Sequence, residues 1–360
     1  MFVTHIQKAI TYLREAQEIA LFTTMADAGL SAAFRASPLF YVMLPFIGLL
    51  LTANALINGY RLAKASNRNF DRWFLFITSA ACAALASISL YGAALSVLLN
   101  FSFAAGPWFF FSSLIVASSH QLMMFGLNLF RAYESPKNSI QRMHYIQAAF
   151  SNLFATAFLA SALGAVVFVL LFPIIPAVGS AFSITAVLFT AFDILWRMTP
   201  YDVKKLIKGW LHLSKPDANQ DAMAHQQEIL KLENAQEMEP KHHRMFTCCD
   251  YSALIRTMDL DEAKPYLLRL IQQRLHILRQ NEAAEHGTIK DKIKLLTAMS
   301  KVMHHPTEIS KKDMLRKYPL AFQSFWAEKG DVEQIVDAVI VFKSRYRPPE
   351  VNRSLLNVIG

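Results

Sequence analysis

The residue best placed for chemistry is His120, inside the run Ser118, Ser119, His120, Gln121. It lies in the middle of a long stretch without charge, and an ionisable group at that depth in a bilayer marks a substrate or ion pathway by default. Asp193 is its possible partner by residue type. Asp193 falls near the end of a different apolar stretch, however, about 10–15 Å away in depth at roughly 1.5 Å per helical residue. Direct pairing of the two is therefore not expected. The plainer alternative is that His120 hydrogen-bonds to a carbonyl, to Asn152 or to another polar group of the bundle, while Asp193 reaches headgroups or Arg197. Asn54 and Asn58, with Pro45 and Gly48 nearby, are the remaining polar or helix-perturbing residues that point toward transport.

A second group of chemically capable residues is His242, His243, Cys248 and Cys249, followed by Asp250. The types are those of metal ligands, but structural zinc sites need ligands in two separated pairs, and this spacing matches none of them. A solvated turn is expected there, with neither metal nor cofactor. Adjacent cysteines facing a reducing compartment also accept fatty acyl chains, an equally open reading. No serine, cysteine or threonine stands beside a base, and no paired carboxylates or histidine-rich run of a membrane lipid enzyme appears, so no catalytic residue is assigned.

The elements that position these residues follow from charge distribution. Hydrophobic residues make up 54% of the chain and charged ones 18%, below the usual quarter. Between Trp73 and Phe130, and again between Met143 and Phe192, no Asp, Glu, Lys or Arg occurs. A bilayer core needs about 20 apolar residues per helix, so each stretch holds two spans. The spacing predicts an all-α polytopic bundle of about five spans, 38–60, 73–99, 107–130, 145–172 and 177–196, within a bundle region 37–197. Asn100, Gly106 and Pro107 close one helical hairpin, and Pro173 with Pro176 the other. Pro45 and Gly48 predict a kink or break in the first span, which makes a re-entrant hairpin its alternative. Small residues at four-residue spacing, Gly92 with Ser96 and Ala160 with Gly164, predict close helix packing.

Region 1–36 carries Ile6, Ile10, Leu13 and Ala20 on one side of a helix, which suits a membrane surface or the side of the bundle. Residues 198–214 read as an interfacial amphipathic helix, with Val203, Leu206, Ile207, Trp210 and Leu211 on one face and Lys204, Lys205 and Lys208 on the other. Its expected partner is the anionic cytoplasmic leaflet. Basic residues cluster at Arg61–Arg72, at Arg131–Arg142 and after Trp196, while the two intervening turns are uncharged. The positive-inside rule then puts the carboxy terminus in the cytoplasm and, with five spans, the amino terminus outside.

From Ser214 a polar hinge leads to a cytoplasmic all-helical domain, 215–347, and a short tail, 348–360. Asp259 and Glu262 have capping-box spacing ahead of Leu267, Leu268, Ile271, Leu275 and Leu278. Further helices are expected at 226–238, 288–303 and 331–344. The two charge signs are interspersed, and no nucleic-acid motif occurs, so no nucleic-acid partner is expected.

A bundle of transmembrane hairpins, with Leu122 to Arg131 and the loop to Arg142 between them, followed by a helical tail rich in Lys, Glu and Gln, resembles the membrane-embedded effectors that intracellular bacteria deliver through type IV secretion. The resemblance implies insertion into a host membrane with the tail in host cytosol; otherwise a bacterial inner membrane is expected. Three functions are open. The first is a non-enzymatic anchor whose cytoplasmic domain binds a protein partner. The second is a small transporter or channel using the polar line around His120, and the third a lipid-modifying enzyme.

Overall fold

The structure is a computed structural model and describes residues 2–238, 246, 249–280, 287–304 and 310–346. Among them all regular structure is helical. Five helices are long and apolar enough to cross a membrane, and the chain divides into two compact units. His242, His243, Cys248 and the tail 348–360 lie outside the described residues.

The first unit comprises 1–65, 71–130 and 144–214. Helix α1 (Phe2–Ala26) is followed by the short α2 (Ala28–Ala36), whose first turn is capped by Asp27 accepting from the Leu30 N–H at 2.8 Å. Ser37 caps α3 (Pro38–Lys64) by accepting from the Leu39 N–H, and Pro38 sits where a missing N–H costs nothing. The helix continues through Pro45 to Lys64 although Pro45 itself donates no bond, so this span is one helix and not a re-entrant pair. Next come α4 (Phe70–Leu98) and α5 (Gly106–Glu134), joined through Asn100 in the left-handed region at φ 51°. Asparagine tolerates that conformation, and it ends the helix.

Helix α6 (Ile140–Ala165) widens into a π-helical turn at Val166–Leu171, and α7 (Pro176–Met198) returns beside it. Gly179 makes the approach possible: a Cβ there would lie 3.2 Å from the backbone of Phe168 and 2.7 Å from Val169 Cγ2. Gly164 similarly receives the ring of Phe182, which stacks on Phe168 at 5.8 Å. Outward-facing residues such as Leu39, Val42, Leu56, Leu188 and Phe192 are at least 63% exposed. A surface so apolar suits lipid and not water.

Helix α1 is too charged to count as a span by composition, yet one face of it is buried against the bundle while Tyr12 and Leu13 on another stay exposed. It packs along α7, with Glu15 at the Arg197 end and Phe22 and Met25 in a core with Ala162, Ala165, Val166 and Ala186. The two helices are therefore antiparallel, and the start of α1 and the end of α7 share one end of this unit. Helix α8 (Tyr201–Trp210) closes the unit.

The second unit is formed by 215–360 together with the inter-helix segments 66–70 and 131–143. Its helices are α9 (Ala218–Met238), α10 (Tyr251–Thr257), α11 (Leu260–Gln280), α12 (Gly287–His304), α13 (Lys311–Lys317) and α14 (Asp331–Tyr346). Asp217 caps α9, so that helix starts earlier than the expected 226. The stripes read from the sequence meet in one core: Leu267 and Ile271 of α11, Leu296 and Met299 of α12, and Ile335, Val336 and Val339 of α14. Each such burial removes a side chain from water for about 1.5–3 kcal/mol.

The loops are fastened by polar contacts. Asn67 donates to the Ala327 and Glu328 carbonyls and accepts from the Ser324 N–H. The Ile140 N–H donates to Asp221, and Phe70 stacks on Trp326.

Candidate functional site

Four helices of the first unit deliver polar side chains to one cavity of about 290 Å³. α5 contributes His120, Gln121 and Ser113, α4 contributes Thr78, Ser79 and Cys82, and α3 contributes Asn54. α1 brings Arg14 and Glu18. The remaining wall is apolar, with Leu21, Phe22, Leu51, Phe110 and Phe158 among its residues.

His120 is held in a defined orientation. Its Nδ1 lies 3.0 Å from Thr78 Oγ1, and its ring stacks on Phe74 with centroids 4.9 Å apart. Thr78 has one hydroxyl hydrogen, and it donates that to the Phe74 carbonyl at 2.7 Å. With the hydroxyl hydrogen given to Phe74, Nδ1 is the donor to Thr78 and Nε2 the acceptor; the opposite tautomer reverses both roles. The expectation that His120 bonds to some polar group of the bundle is met by Thr78, and Asp193 is not that group.

Arg14 and Glu18 form an ion pair at 3.1 Å, one helical turn apart. Their side chains keep 32% and 24% of their surface open, and both line the cavity. Nearby, Cys82 donates its S–H to the Ser113 carbonyl at 3.4 Å, and Ser113 Oγ donates to the Cys82 carbonyl at 3.2 Å, which ties α4 to α5.

Asp193 belongs to a separate cluster. Arg197 pairs with Asp193 on its own helix and with Glu15 of α1 at 2.7 Å. Glu15 is 4% exposed, and its Oε2 has no hydrogen-bond partner. Of the remaining predicted residues, Ser118 has a buried hydroxyl without a partner and Ser119 is exposed; neither lines the cavity.

On α8 the predicted amphipathic faces are present. Leu206 and Trp210 are 73% and 80% exposed, while Lys204 donates to the Arg197 carbonyl and Lys208 to Gln147 Oε1. Two of the three lysines thus turn toward the bundle, and the apolar face points away from it. Lys205 is exposed. Among the described residues, no group of three or more His, Cys, Asp or Glu is arranged to hold a metal ion. Cys249 is partly buried without its neighbours His242, His243 and Cys248 being described.

Arg14, Glu18 and Thr78 were not singled out by sequence reasoning. A signal existed for the first two: the apolar stripe of α1 continues through Leu21, Phe22 and Met25, beyond residue 20, so the charged pair sits within a helix able to enter the bundle. Comparison with protein-family models, with curated proteins and with solved structures gives no match.

Proposed function

We propose that this integral membrane protein handles a small solute, as a transporter or channel, through the cavity around His120. The observation that supports this reading is the Arg14–Glu18 pair facing the same cavity as His120, Gln121 and Asn54. Charges inside a membrane bundle are costly and gather at pathways, whereas an anchor needs only apolar contacts. His120 adds an imidazole acceptor that can exchange a proton with a bound solute.

Cys82 is a native reporter in the cavity wall. With Cys248 and Cys249 replaced by serine, a small hydrophilic thiol reagent should label Cys82 in the folded protein, and His120→Leu should slow that labelling. If only membrane-permeant reagents reach Cys82, the cavity is not a solute site.

A second reading assigns the carboxy-terminal unit to binding a protein partner. It draws support from a closed helical core beside which Phe325 and Trp326, though packed on Phe70, keep 50% and 41% of their surface exposed. Under the resemblance to secreted effectors that partner is a host protein. Full-length protein should then retain the partner in a pull-down, and Trp326→Ala should release it; an unchanged complex sinks this reading.

A further inference from the structure

We infer that the cavity takes a zwitterion carrying a compact apolar body, the chemistry of an apolar α-amino acid or of an aminophospholipid headgroup; this rests on the solute reading above. Charge balance carries the inference. The formal charges facing the cavity are one cation, Arg14, and one anion, Glu18, 3.1 Å apart. A ligand of a single sign pairs with one of them and weakens that residue's hold on the other, which is unfavourable where both side chains are partly buried. A zwitterion satisfies both: its anionic group takes the Arg14 guanidinium and its ammonium takes Glu18.

The neutral groups fit the same ligand. Asn54 and Gln121 can each donate and accept, and His120 presents Nε2 as an acceptor for an ammonium hydrogen. Beyond this polar end the wall is made by Leu21, Leu51, Phe110, Leu114 and Phe158, which calls for an apolar body. At about 290 Å³ the space lies at the bottom of the range for small-molecule sites, roughly 300–1,000 Å³. One headgroup and one small side chain fit, and two acyl chains do not.

The test uses purified full-length protein and calorimetric titration with three probes of one shape: phenylalanine, phenethylamine and 3-phenylpropionate, then the same three charge forms on a leucine body. The zwitterion should bind tightest in at least one set. Arg14→Gln and Glu18→Gln should each weaken it roughly ten- to hundred-fold, the worth of a charge-assisted hydrogen bond, and should turn the preference to the amine and to the acid respectively. Phosphatidylglycerol nanodiscs with and without phosphatidylethanolamine separate the sources: competition by that lipid identifies a headgroup as the occupant, and no competition identifies a free solute. If the parent protein prefers the amine or the acid, the zwitterion assignment is overturned while the solute reading stands. If none of the six binds, both fall.

Discussion

Replacing Asn67 with alanine removes the fastening between a short inter-helix loop and the carboxy-terminal chain. The Asn67 side chain is buried, with 4% of its surface exposed. Its Nδ2 donates to the Ala327 carbonyl at 3.1 Å and the Glu328 carbonyl at 2.8 Å, and its Oδ1 accepts from the Ser324 N–H at 2.9 Å. Each such bond is worth about 0.5–1.5 kcal/mol net, so losing three costs about 3 kcal/mol. For a unit of this size each kcal/mol lowers Tm by about 2–4 °C, which predicts a fall of about 6–12 °C. Differential scanning fluorimetry of the full-length protein in detergent reads this directly, and limited proteolysis should show new cleavage within 318–330. Asn67→Asp is the sharper control. It keeps an acceptor for Ser324 but sets carboxylate oxygens against two carbonyl oxygens, so at neutral pH it should be no more stable than the alanine variant. A loss below about 1 kcal/mol on Asn67→Ala, or an aspartate variant as stable as the parent at pH 7, refutes this account of how the loop is held.

Three further outcomes are expected. Burial raises the Asp331 pKa, but Arg274 and Lys292 more than reverse that, so its folded value lies below the ordinary 3.8. Its stabilisation is therefore complete above the unfolded pKa and lost as pH falls through the folded one; an acid titration of Tm should steepen below about pH 4, and Asp331→Asn should remove that component. Gly179→Ala should lower Tm, at a cost of about 1–3 kcal/mol for overpacking against the Phe168 backbone, whereas Gly126→Ala meets nothing within 4 Å and should leave Tm unchanged or raised; equal losses at both positions would contradict the close approach. Because α1 runs antiparallel to α7, single cysteines at Lys8 and Ser214, in a background without native cysteines, should be labelled from the same side of a proteoliposome; labelling from opposite sides would contradict the antiparallel packing.

The membrane helices were legible in the sequence because hydrocarbon imposes a severe local rule. Some twenty consecutive residues must be apolar, and the charge-free stretches 73–130 and 143–192 obey it without reference to any neighbour. The structure has five such helices, with ends within a few residues of Asn100, Gly106, Pro173 and Pro176. The helical stripes in the carboxy-terminal half were legible for the same local reason, and Leu267, Ile271, Met299 and Val336 are all fully buried. Periodicity states which face of a helix must be covered but not what covers it. That limit explains α1, whose pattern suited a membrane surface or the side of the bundle equally until the tertiary fold supplied Arg197 for Glu15 and a cavity for Arg14 and Glu18. It explains His120 as well: its residue type announced a partner, but Thr78, 42 residues away, became that partner only when α4 was laid against α5. The capture of Asn67 by carbonyls some 260 residues later left no local trace at all, since a hydrogen bond between distant loops has neither period nor composition, and only the folded chain decides it.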